Sequence, residues 1–221
     1  SLERALGVQW DISEDTFRFK LDMKAHKLSR RGILSAVSSI YDPLGLVAPF
    51  ILQAKRILQE LCYSNLGWDD PIGDDIRIRW EKWKSILPFL KQITVPRCLK
   101  PVGLGEIIEI SLHHFSDASD EGYGQCSYVR FIYNAGQIHC ALIMSKSRVC
   151  PRKPSMSTPR LELVAATLSA KIARYVSDEM DYEVNYQTFW TDSQVVLGYI
   201  KNDSKKFKVF VANRINLINQ C

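Results

Sequence analysis

Two kinds of hydrophobic spacing divide the chain near residue 95. Leu6-Gly7-Val8-Gln9-Trp10 and Thr16-Phe17-Arg18-Phe19-Lys20 read as short strands, and Asp11 to Asp15 between them supplies turn chemistry, which predicts a β-hairpin. After Asp22 the spacing becomes helical. Ser29 is the expected N-cap of a helix that carries Ile33, Leu34, Val37 and Ile40 on one side. Asp42-Pro43 ends it, because the proline ring drives the residue before it out of helical geometry. Pro49 suits the first turn of a second helix with the stripe Phe50, Ala54, Ile57, Leu58 and Leu61, stopped by Asn65 and Gly67. Asp74 and Asp75 favour a third start through the helix dipole, and Ile76, Trp80, Trp83 and Leu87 then share a face. That face predicts a helical core with both indoles turned inward; base stacking is the other use of such residues.

Pro96, Pro101, Gly103 and Gly105 mark a linker, after which alternation takes over. Ile107 to Phe115, Tyr123 to Tyr133 and Gln137 to Lys146 are β-rich, and Asn134-Ala135-Gly136 signals a hairpin between the last two. Cys150 to Ser157 reads as loop. From Pro159 a helix is expected, with Leu161, Val164, Ala165, Leu168 and Ile172 buried. Its small residues, among them Ala166, Ser169 and Ala170, let it lie close on a sheet. A fourth strand follows at Val184 to Thr191, then a helix from Asp192 to Ile200 capped by Asp192 or Ser193. Three strands, a helix, a strand and a helix predict a mixed α/β domain.

Composition narrows the class only a little. The 221 residues are 46% hydrophobic and 24% charged, an ordinary globular balance, with a formal net charge of +5. Mild basicity is compatible with nucleic acid without being diagnostic. The six cysteines form no CxxC pair, which argues against a zinc knuckle or redox motif and for reduced thiols. No apolar run reaches a membrane span and no signal peptide opens the chain, so no membrane partner is expected. The expected location is intracellular, in a cytoplasmic particle or the nucleus. Ser1 at one end and Cys221 inside an apolar-periodic segment at the other read as a piece of something longer.

Candidate chemistry lies in three carboxylates. Asp117 ends the first β-rich run, Glu162 stands early in the following helix, and Asp192 closes the fourth strand. That order can bring three acids to one place, where they repel one another unless a cation holds them; a hard divalent metal is the natural partner. A turn-forming role for a single strand-end Asp is the other reading. Basic residues Lys146, Arg148, Arg152, Lys153 and Arg160 precede Glu162, as substrate contacts or as a solvated loop. Ser116, Ser119 and Ser193 flank the carboxylates, placed either to bond substrate phosphates or 2′-hydroxyls or to serve turns and caps. His113 and His114 are consecutive in a strand, so their side chains point to opposite faces and do not form a joint metal site.

These stretches carry a resemblance. Phe115-Ser116-Asp117-Ala118-Ser119, Thr158-Pro159-Arg160-Leu161-Glu162-Leu163 and Trp190-Thr191-Asp192-Ser193 resemble the first-strand, acidic-helix and fourth-strand motifs of retroelement ribonuclease H domains. Ser39-Ile40-Tyr41-Asp42-Pro43-Leu44-Gly45-Leu46, with Gly67-Trp68-Asp69 and the Trp80/Trp83 helix, is similar to the Bel/Pao class of long-terminal-repeat retrotransposons. The resemblance covers essentially the whole chain. It implies an α/β protein: residues 1–25 the C-terminal hairpin of a reverse-transcriptase palm, 26–95 a helical thumb or connection, and 96–221 a ribonuclease H-like mixed-sheet domain, incomplete at its C-terminus.

The resemblance further implies metal-dependent cleavage of the RNA strand of an RNA/DNA hybrid. Asp117 would bridge two Mg²⁺ ions (or Mn²⁺), with Glu162 on one and Asp192 on the other, and Ser116, Ser119, Arg160 and Ser193 would contact substrate. The partners implied are the hybrid and the remainder of a reverse-transcriptase polyprotein. The family's fourth acid would lie beyond Cys221, so these residues alone are expected to cleave weakly or not at all. The paired-aspartate polymerase motif is absent, so the chain does not polymerise by itself. A non-catalytic connection module is the alternative. The family also carries a peptidase label, but an aspartic peptidase needs an Asp-Ser/Thr-Gly turn; Asp192-Ser193 is followed by Gln194 and Asp117 by Ala118.

Overall fold

The structure, a computed structural model, describes residues 2–5, 8–19, 27–202 and 206–220. Leu6, Gly7 and Lys20 of the predicted hairpin, the boundary after residue 25, and Cys221 lie outside the described residues. The chain divides into two compact units, Ser1–Cys98 and Leu99–Cys221, so the stretches 1–25 and 26–95 both fall in the first.

In the first unit, β1 (Leu2–Ala5), β2 (Val8–Asp11), β3 (Thr16–Arg18) and β4 (Thr94–Pro96) form an antiparallel sheet in chain order. The expected hairpin is β2–β3. Strands β1 and β4 are too short to show a period, which is why alternation alone did not reveal them. Helix α1 (Arg30–Ser39) is capped by Ser29, whose Oγ accepts from the Gly32 N–H at 3.3 Å. Helix α2 (Ala48–Tyr63) has Pro49 in its first turn. Asp42 does more than end α1: its carboxylate accepts from the Leu46 and Val47 N–H groups at 2.8 and 2.9 Å and fixes the approach to α2. Helix α3 (Asp74–Leu90) places Trp80 and Trp83 inward, each 2% exposed. They stack with centroids 4.7 Å apart, and Trp83 Nε1 donates to the Phe50 carbonyl at 3.0 Å. Ile33, Val37, Ala54, Leu61 and Leu87 complete this core with Phe19.

In the second unit, β5 (Ile107–Ala118), β6 (Gly122–Tyr133) and β7 (Ile138–Val149) form an antiparallel meander. The β6–β7 turn needs a positive φ, which Gly136 supplies at 82°. Helix α4 (Thr158–Glu179) then crosses over, and β8 (Tyr186–Trp190) pairs parallel to β5, giving the order β7-β6-β5-β8. Parallel neighbours require such a crossover, and the helical stripe read from the sequence supplies it. Leu112, Val129, Phe131 and Tyr133 of the sheet pack on Ile172 and Val176 of α4. Helices α5 (Gln194–Ile200) and α6 (Val209–Ile218) join α4 through Val196, Ile215 and Leu163.

Candidate functional site

Because β5 and β8 run parallel, their C-terminal ends lie at one edge of the sheet. Phe115 is the register partner of Trp190; Asp117 stands two residues further on, still within β5, and Asp192 two residues past Trp190, beyond the end of β8. Both are exposed. Glu162, in the second turn of α4, reaches the same edge: its carboxylate accepts a hydrogen bond from Ser193 Oγ, the hydroxyl of the residue after Asp192. The topology thus brings the elements carrying all three acids to one end of the β5–β8 pair.

Their side chains arrive from different directions. Leu112 belongs to the file of β5 that faces α4 and its core. Period-2 alternation puts Asp117 in the other file, with His113 and Phe115, on the face away from α4. Glu162 comes from the α4 side. Asp117 is still paired with Gly124 of β6, so the edge the acids share is the β8 side of β5, where β8 has already ended. Three carboxylates without a thiolate are the donor set of a hard divalent cation. Among the described residues, however, no group of three or more His, Cys, Asp or Glu side chains is already drawn together as an ion-holding cluster. The donor chemistry fits Mg²⁺, and Glu162 is engaged by Ser193 in its place.

The serines named from the sequence have structural partners. Ser193 Oγ caps α5 by accepting from Val196 N–H at 3.2 Å while it donates to Glu162. Ser119 Oγ closes the β5–β6 turn, accepting from the Glu121 and Gly122 N–H groups. Ser116 Oγ donates to the Trp190 carbonyl at 3.5 Å and so tethers the two strands at the edge. Arg160 holds its guanidinium 5.2 Å from the Phe210 ring centroid.

Sequence reading missed an aromatic layer below the edge. Phe115 and Trp190 stack 5.9 Å apart, Tyr128 meets Phe115 edge-on, and His113 lies on Trp190 with its Nδ1 accepting from the indole N–H at 3.2 Å. Phe115 is 41% and Trp190 49% exposed. The signal was present: residues 113 and 115 share a file, and so do 186 and 190. His114, on the opposite face as expected, is buried between Ser127 at 2.8 Å and Gln187 at 3.2 Å. Desolvation by burial pushes its pKa down, against the weaker pull of Gln187.

Comparison with known proteins follows the same lines. A family described as "Pao retrotransposon-like RNaseH-like domain" matches residues 29–193. No curated protein matches the chain. Among solved structures, one of the foamy viral protease-reverse transcriptase dRH in complex with double-stranded DNA is similar over 100% of this chain, at 12% identity and a TM-score of 0.55. That likeness is one of fold, and this chain spans 36% of the length of that one. The RNase H1 of the halophilic archaeon Halobacterium salinarum NRC-1 matches 50% of this chain and 75% of its own at 10% identity, with a TM-score of 0.32, too low to carry an argument.

Proposed function

The chain belongs to the family of Pao retrotransposon-like RNaseH-like domains, and from that premise we propose that its second unit cleaves the RNA strand of an RNA/DNA hybrid with the help of divalent metal. The observation that supports this most is the shared edge: parallel pairing of β5 and β8 sets Asp117 and Asp192 side by side, and the Glu162–Ser193 hydrogen bond draws α4 to them. Asp117, Glu162 and Asp192 would hold Mg²⁺ through hard oxygen ligands. When bound, the ion activates a water and stabilises charge on the leaving 3′ oxygen.

The residues themselves do the positioning. Asp117 is fixed on β5, and Asp192 follows the end of β8, which the parallel ladder holds beside β5. Glu162 is kept at the edge by the Ser193 hydroxyl, which is itself held by the cap of α5. With a cation holding Glu162, the Ser193 hydroxyl proton would be available to a phosphate oxygen or 2′-hydroxyl, while its oxygen stays on the cap of α5. The exposed stack of Phe115 and Trp190 bounds the edge with an apolar surface, against which a sugar or base of the hybrid can lie. Recognition at backbone and 2′-hydroxyl level with little base readout follows from such a surface. The remainder of a reverse-transcriptase polyprotein is the proposed partner, and no described helix is long and apolar enough to cross a membrane.

The test is cleavage of a hybrid labelled in turn on its RNA and DNA strands, by the protein carrying this chain. Mg²⁺-dependent loss of the RNA label alone is expected. Asp192→Asn keeps the shape of the side chain and removes a charge, and should lower the rate on the order of 100-fold or more with the fold intact. Undiminished cleavage by Asp192→Asn would sink the assignment, and binding of hybrid without any cleavage would favour the connection module.

A further inference from the structure

Away from the acidic edge, the α4 side of the second sheet holds a cavity of about 420 Å³ between β6, β7, α4 and α6. Its polar wall is Tyr123 from β6, Arg148 from β7, Thr167 and Lys171 from α4, and Asn213 and Arg214 from α6. Aliphatic side chains of α4 and α6 close the rest. Among the described residues, three cations line this space and no carboxylate does. Arg214 is held in place: its Nη1 donates to the Phe210 carbonyl at 2.9 Å and its guanidinium lies 3.6 Å from the Phe210 ring centroid. Burial pushes its pKa down, as expected of a cation desolvated without a full counter-charge.

Position ties the cavity to the edge. Tyr123 is the register partner of Ala118, the residue after Asp117, and Arg148 is the partner of Tyr123. Arg148 therefore lies two strands across from β5, roughly 10 Å away at ~4.8 Å per strand. At ~3.4 Å of rise per nucleotide, a nucleic-acid strand covers that gap in about three steps. A volume within the usual range of small-ligand sites is ample for a phosphate and its sugar.

We propose that this cavity takes a phosphodiester group of the nucleic-acid strand lying across the acidic edge, with Arg148, Lys171 and Arg214 neutralising it and Asn213 and Tyr123 donating hydrogen bonds. The proposal rests on the nucleic-acid reading above and adds a contact that holds register. Lys171 and Arg148 come from a helix and a strand and converge on one space, which is what separates this wall from a scattered basic surface.

The experiment measures hybrid binding by fluorescence anisotropy in EDTA, so that cleavage plays no part, over a series of salt concentrations. Lys171→Gln combined with Arg148→Gln should weaken binding about tenfold near 0.1 M salt and flatten the log–log salt slope by ~1. Lys171→Arg should keep most of the affinity. Lys201→Gln, on α5 outside the cavity, should change neither quantity. Equal melting temperatures show that each variant folds. Inorganic phosphate is titrated in parallel while the Asn213 amide is followed by NMR. A shift at Asn213 with unchanged hybrid affinity in the double variant would make this a free-phosphate site and overturn the proposal, as would no effect in either assay. A protein that cleaves hybrid but binds it equally without Lys171 and Arg148 keeps the nuclease reading and loses this one. The reverse result keeps this one and loses the nuclease reading.

Discussion

Trp80 and Trp83 of the first unit and Trp190 of the second are used in opposite ways. In the first, Trp80 and Trp83 are each 2% exposed and close a core with Phe50 and Leu61. In the second, Trp190 is 49% exposed and stacks on Phe115 beside the acidic edge. The first unit uses these two indoles for packing, while Trp68, 44% exposed, lies under the Arg30 guanidinium, and the Asp42 carboxylate is taken up by two backbone N–H groups. The second leaves aromatic rings, three acids and a cationic cavity accessible. A residue type therefore carries no function until its neighbours are known, and the proposed chemistry belongs to residues 99–221.

The largest effect should come from emptying the first core. Trp83→Ala removes a buried indole and its hydrogen bond to Phe50, and should cost ~3–5 kcal/mol by denaturant unfolding. The second unit's hybrid binding, measured below the transition, should be retained. A cost near zero would mean that the helices do not depend on this core.

The matching substitution in the second unit should be milder for stability. Trp190→Ala loses two stacking partners at a half-exposed site and should cost ~1 kcal/mol. It should weaken hybrid binding more visibly than it lowers the melting temperature. A change in stability comparable with that of Trp83→Ala would show that the exposed layer is core after all.

Acid should separate the units by sign. Burial lowers the pKa of His114 below 6.5, so the unfolded chain takes up a proton where the folded one does not. This contribution is present above 6.5 and is lost as pH falls through the folded-state value. Asp42 is opposite: desolvation raises its pKa above 3.8, outweighing its backbone hydrogen bonds. Its contribution is fully present below 3.8 and is lost as pH rises through the raised value. Comparing wild type with His114→Gln and with Asp42→Asn across pH should give melting-temperature differences that trend in opposite directions. Parallel trends would contradict the burial argument.

Much of this was legible in the sequence because the decisive signals were local. Ser29 and Ser193 cap the helices they announce, Pro159 opens α4, and alternation located β5 to β8. Asp117, Glu162 and Asp192 were singled out because each stands near the end or the start of an element. What escaped was non-local. Strands β1 and β4 owe their existence to ladder partners, and three or four residues are too few to show a period. The Glu162–Ser193 bond joins residues 31 apart, and the cavity draws its side chains from four different elements. No window along the chain contains either.

The central claim is that Asp117, Glu162 and Asp192 act on a divalent ion as one group. Titration with Mn²⁺, read as paramagnetic broadening of backbone amides, tests it without reliance on turnover. Broadening should centre on residues 116–119, 161–163 and 191–193, and Glu162→Gln should weaken it at all three stretches together. Broadening centred on the exposed acids of the first unit, such as Asp69 and Asp70, or confined to one of the three stretches, would contradict the account.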